Sequence, residues 1–139
     1  MLRYPNAMPA LNLRSISSGR IAACVAFGGM DYDVSQPDRL DADVLSYAAG
    51  RKALGLSALG ALRNEVARVT SPDLLPRDER QQLRMEDLLG FRKNPKGMTA
   101  LQKKLRSKAL DGHPTPSTPF IRLSTGASGV GLAASIGLA

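Results

Sequence analysis

The only histidine in the chain, His113, lies in the stretch "DGHPTPSTP", where three prolines and a glycine enforce an extended loop. An imidazole is the one side chain that exchanges a proton near neutral pH without help, so it is the first candidate for acid–base or hydrogen-bonding chemistry. Just downstream, "RLSTGASGVGLAASIGLA" runs from Arg122 to Ala139 with four of the 13 glycines and no acid. A loop of that kind lets backbone N–H groups come close to an anion or a flat ring. Several chemistries are excluded at once. One histidine and one cysteine, Cys24, cannot complete a zinc site within one chain. "GASGV" lacks the second glycine of a nucleophile elbow, and "GASGVGLA" has Leu132 and Ala133 where a phosphate loop needs Lys and Ser or Thr. "GVGLAA" fits a dinucleotide fingerprint only loosely, because no acidic residue follows it.

These groups need elements to hold them. From Leu54 to Val69 apolar residues fall at helical spacing (Leu54, Ala58, Ala61, Leu62, Val66, Val69), which predicts a buried core helix. Gly55 and Gly60 within it each cost about 1 kcal/mol against alanine and point to close packing on another backbone. "LRMEDLLGFR" reads as a short amphipathic helix on Leu83, Leu88 and Phe91. Thr99 is placed to cap a further helix over "ALQKKLRSKAL". "FIRL" reads as a short strand before the glycine loop, and the residues after Gly129 as a helix. A strand feeding a glycine loop and a helix predicts an α/β layout.

With 139 residues, 43% of them hydrophobic, and a mean hydropathy of −0.14, the chain has a globular composition of single-domain size. No apolar run reaches the roughly 18 residues of a membrane span, and no membrane partner is expected. Arg3, Arg14 and Arg20 among serines give the first residues a transit-peptide-like balance, although a basic first helix of a cytoplasmic protein is the plainer expectation. The net charge of +7 is concentrated. Seven cations (Arg92, Lys93, Lys96, Lys103, Lys104, Arg106, Lys108) fall between Leu88 and Leu110 with no acid among them. That run predicts a solvated face, and alternatively a small basic interaction or nucleic-acid-binding protein using Arg92–Lys108. The chain has only six aromatic residues, three Tyr and three Phe, which argues against recognition by base stacking.

Taken in order, four segments resemble the thiamine-diphosphate-binding domain of the transketolase family. Gly112-His113-Pro114 is followed by Ser124-Thr125-Gly126, Gly129 and Gly131, similar to the family's G-H-P and T-T-G-x-L-G-Q-G motifs. "PDRLDADVLSYAAGRKALG" resembles its D-R-x-V-L-S-x-G-H-G segment, "LRMEDLLGFRKN" the segment after it, and "SKALDGHP" the approach to G-H-P.

The resemblance covers about Asp38 to Ala139. It implies an α/β fold: the N-terminal portion of a pyrophosphate-type thiamine-diphosphate-binding domain, helix-rich and with an incomplete parallel sheet. Residues 1–37 would form a basic segment with a first helix, and residues 38–139 the partial domain. The implied activity is transfer of a ketol or acyl unit between sugar- or keto-acid-type substrates. The implied cofactors are thiamine diphosphate and Mg2+, with the metal ligands expected outside this chain. His113 would hydrogen-bond substrate oxygens near the reactive carbon, and Gly126, Ser128 and Gly129 would face the cofactor. The implied partners are the remainder of the enzyme or a partner subunit, a homo-oligomer when complete, and a phosphorylated sugar or keto-acid substrate; nucleic acid is not expected. The family's second histidine falls on Ala49, which implies a substrate other than the ordinary pentose phosphates.

Overall fold

The computed structural model describes residues 9–37, 39–48, 50–124, 126–127 and 129–138, with side chains from residue 19 onward except at residue 51. Four α-helices occur in it: α1 (Pro9–Gly28), α2 (Ala53–Thr70), α3 (Ala100–Lys104) and α4 (Val130–Leu138). Short 3₁₀ turns at Gly50–Lys52, Pro72–Leu74, Met85–Gly90 and Pro95–Gly97 connect them.

α2 covers the helix expected from Leu54 to Val69, but it does not bury the expected line. Its buried positions are Ala53, Ser57, Ala61, Asn64 and Ala67, whereas Leu62, Val66 and Val69 are exposed. The reason is distance. α1, the Gly50–Lys52 turn and the Met85–Gly90 turn lie close along α2, against a face of small side chains in which Asn64 is the one larger residue. A methyl group on Gly60 would stand 3.2 Å from Leu83 Cδ1, so its close neighbour is a side chain and not a second backbone. Asn64, fully buried, donates from Nδ2 to the Leu83 carbonyl at 3.2 Å and Arg68 donates to the same oxygen at 3.3 Å. Leu83 thus docks its chain segment on α2 by both its side chain and its backbone.

The centre of the described structure is a crossing between the Met85–Gly90 turn and the segment 108–110. Asp87 is completely buried. Its carboxylate accepts from the backbone N–H of Arg84 at 2.9 Å and of Lys108 at 2.8 Å. Arg92 N donates to the Leu110 carbonyl at 2.8 Å and Leu110 N to the Gly90 carbonyl at 3.0 Å, making a parallel bridge between Phe91 and Leu110. Gly90 is obligatory here, since a Cβ on it would lie 1.8 Å from the Lys108 carbonyl oxygen.

α3 starts where the sequence places it. Thr99 Oγ1 accepts from Gln102 N at 3.3 Å and Gln102 Oε1 accepts from Thr99 N at 2.7 Å, a reciprocal capping pair. It ends after five residues, well short of the expected stretch. Arg106 takes a left-handed φ of 52°, with Arg106 N bonded to Lys103 O and Ser107 N to Gln102 O. That pair of bonds is a Schellman stop with arginine in the place glycine normally holds.

Among the described residues there is no strand. The expected strand over "FIRL" is replaced by a turn, because Phe120 has φ 67° and Ile121 N folds back to the Thr118 carbonyl at 3.1 Å. Only Leu45 N, bonded to Phe120 O at 3.2 Å, joins this segment to the extended residues 43–48. The expected incomplete parallel sheet is thus not formed among the described residues, which are helix-rich and carry one isolated parallel bridge and one lateral bond.

Candidate functional site

The histidine loop is held in shape by its own hydroxyls and prolines. Thr118 N donates to the Thr115 carbonyl at 2.7 Å, Thr115 N to Thr118 Oγ1 at 3.4 Å, and the Thr115 and Ser117 hydroxyls meet at 2.6 Å. Pro114 is among the most deeply buried residues, which anchors the loop beside His113, itself half-buried. On the other side the Arg92 side chain crosses Gly112 so closely that a Cβ there would lie 2.5 Å from Nε.

Two of the expected site residues come together. A Cβ built on Gly126 would stand 3.6 Å from His113 Cδ2 and 3.7 Å from Nε2, so the glycine packs on that edge of the imidazole at van der Waals distance. Gly129 turns the chain with φ 87° into α4, a conformation that favours glycine, but it lies in open space away from the histidine. Ser128 and Ala49 lie outside the described residues.

The loop's far end is fixed by a second close approach. Gly131 is buried, and a Cβ on it would meet the Cα of Ala48 at 2.5 Å. One turn on, Ser135 Oγ bonds the Ser46 hydroxyl and the Gly131 carbonyl, both at 2.6 Å. "LSYAAG" and "GVGLAAS" are thus adjacent although 89 residues separate the two serines.

His113 also borders a cavity of about 170 Å3 between α2 and the histidine loop. Its floor is apolar, and its polar lining includes Arg80, Lys108, Asp111, Ser57 and Ser117. Sequence reasoning missed this set. Lys108 looked like one more cation in a solvated run, yet its ammonium donates to the carbonyls of Glu79 (2.5 Å), Arg80 (3.4 Å) and Gln82 (2.7 Å). Burial pushes the Lys108 pKa below the usual lysine value, and nearby Asp87 partly opposes that shift. Arg80, largely solvated, forks onto Asp78 with three contacts of 2.8 to 3.1 Å and holds that carboxyl below the usual aspartate range. The only signals for Lys108 and Asp111 were their places in "SKALDGHP".

A third cluster supports the site from behind. The Arg63 guanidinium lies 4.6 Å from the centre of the Phe120 ring and 5.7 Å from that of Tyr32, and the two rings are 4.7 Å apart. Burial lowers the Arg63 pKa, with Tyr32 acting in the other direction. The cation–aromatic stack fixes Phe120 in its left-handed turn and so sets the start of the segment leading to Gly126.

No family model, no curated protein and no solved structure matches this chain.

Proposed function

We propose that residues 38–139 are the N-terminal portion of a thiamine-diphosphate-binding domain of α/β type in a transketolase-like transferase. The observation that carries this reading is the convergence of separated motif segments. His113 of G-H-P meets Gly126 of S-T-G, and Ala48 of the L-S-x-x-x-G segment meets Gly131 of the glycine loop.

Gly126 lies against the Cδ2–Nε2 edge of the His113 imidazole, which puts the glycine loop and the one histidine side by side. Bound thiamine diphosphate supplies carbanion-stabilising chemistry; the protein binds, orients and tunes it. In this reading Gly126 and Gly129 let the backbone approach the cofactor, while His113 hydrogen-bonds a substrate oxygen and steadies its developing charge. The metal is a different matter. Among the described residues no group of three or more His, Cys, Asp or Glu side chains could hold an ion. The described residues thus offer no ready Mg2+ site, and in this reading the ion's ligands would come from outside them.

The test is a thiamine diphosphate titration, with and without Mg2+, of the full-length protein that contains this chain. Gly126→Val should abolish thiamine diphosphate binding while leaving α2 folded. His113→Ala should keep the cofactor and lower turnover by about 10²–10⁴-fold. Unchanged cofactor affinity in Gly126→Val, in a chain that otherwise binds, removes the glycine loop from the site and the reading with it.

A further inference from the structure

We propose that the surface bearing Arg92, Lys93, Lys96, Lys103, Lys104 and Arg106 docks the chain onto an anionic lipid bilayer, with Leu89 and Leu101 entering the headgroup layer. All six cations are exposed. The salt bridges of the described residues lie elsewhere, at Arg39, Arg68 and Arg80, so none of the six is neutralised by a carboxylate. In this stretch the two nearest flanking acids in sequence are Asp87, buried with its oxygens on backbone N–H groups, and Asp111 beyond Leu110.

Arg92 packs its side chain across Gly112, with the guanidinium 5.8 Å from the centre of the Phe91 ring. No hydrogen bond or ion pair of the described residues uses the side chains of the other five. The segment is held by its backbone and by uncharged or outlying side chains. Asn94 Oδ1 caps the Pro95–Gly97 turn, Thr99 and Gln102 cap α3, and Gln102 Nε2 donates to the Leu89 carbonyl. From outside, Arg84 donates to the carbonyls of Leu105 and Arg106 at 3.0 and 3.1 Å. The cations therefore stand on a pre-formed frame, and a partner need not order it.

The choice of partner follows from what lies among the cations. Leu101 is 55% exposed and Leu89 is 41% exposed, and the Gln102–Leu89 bond places the two elements side by side. Leucines flanked by lysines suit an interface where apolar side chains insert and cations meet lipid phosphates. They contribute nothing to contacts with a nucleic acid backbone. The single aromatic residue of the stretch, Phe91, is buried, which leaves no base-stacking platform, and the five residues of α3 are too few to read a groove. The absence of a sequence span predicted no membrane partner, but surface attachment needs none.

Vesicle co-sedimentation of the full chain tests this without any cofactor, so its result is separable from the thiamine-diphosphate reading. Binding is expected to vesicles with roughly a third phosphatidylserine and not to neutral phosphatidylcholine, and it should weaken steeply with added salt. K103E/K104E should lower the partition by at least about tenfold, and Leu101→Ser by a few-fold without altering its salt dependence. Circular dichroism checks that both variants remain folded; K93E/K96E gives a second charge reversal on a separate turn. Equal binding to neutral and anionic vesicles, charge reversal without effect, or tighter binding to duplex RNA than to vesicles would each overturn the proposal.

Discussion

The crossing at Asp87, Gly90 and Lys108 and the end of the chain at α4 solve the same packing problem in opposite ways. At the crossing every close approach is matched by a polar partner: a buried carboxylate takes two backbone N–H groups, and an ammonium takes three carbonyls. At α4 one face is fitted closely, by Gly131 on Ala48 and Ser135 on Ser46, while Val130, Leu132, Ile136 and Leu138 remain in solvent. The polar partners of the crossing all lie within residues 79–110. The second region is fitted on one face only. The difference separates a region whose close approaches are matched by polar partners from one that leaves apolar side chains in water.

The comparison is most severely tested by Gly90→Ala. With 1.8 Å between the new Cβ and the Lys108 carbonyl oxygen, the crossing must open, and a loss of about 3 kcal/mol or more is expected in urea unfolding. A loss below about 0.5 kcal/mol, the level of an ordinary surface change, would mean that the two segments do not touch.

Asp87→Ala comes next. It strands the N–H groups of Arg84 and Lys108, at about 1–3 kcal/mol for each buried donor left unpaired, and Asp87→Asn should recover part of the loss. If both variants unfolded at the wild-type urea concentration, the carboxylate would be ornamental.

In the second region Gly131→Val should release α4 from Ala48 and leave the main unfolding transition in place. Amide exchange would then speed up in residues 130–138 and not in α2. Global unfolding by this substitution would show instead that α4 is integral to the core.

The smallest expected effect is electrostatic. Ser35 hydrogen bonds chiefly hold Asp33 below the usual 3.8, as Arg80 holds Asp78. Each folded-state pKa lies below its unfolded value, so the stabilisation is present above 3.8 and is lost as pH falls through the folded value. Both groups are at the surface, so Asp78→Asn should only slightly flatten the stability profile below pH 3.8. A large change near neutral pH would contradict that assignment.

How far these features can be read from sequence depends on whether the deciding contact is local. α2 and the Thr99 cap follow from spacing and from the residue types of one turn. The face that α2 buries does not, because it is set by how closely α1 and Leu83 approach, and that favours Ser57 and Asn64 over Leu62 and Val66. The "FIRL" strand was misread for the same reason: its residue types suit a strand, but the Arg63 stack and the Ile121–Thr118 bond bend it. Lys108 was hidden by its charged neighbours. Within the site, His113 and Gly126 were legible as separate motif residues, and their contact across the loop was not.

The bonds between Gly90, Arg92 and Leu110 also close a ring of chain at its neck, with the cationic segment as the ring. Loop-closure entropy rises only by about 0.6 kcal/mol per doubling of length, so residues added at the exposed 93–97 stretch would cost little as long as the Gln102–Leu89 and Arg84–Leu105 bonds are kept. The exposed cations of the segment can thus be exchanged one at a time without touching the backbone bonds of the neck beneath them.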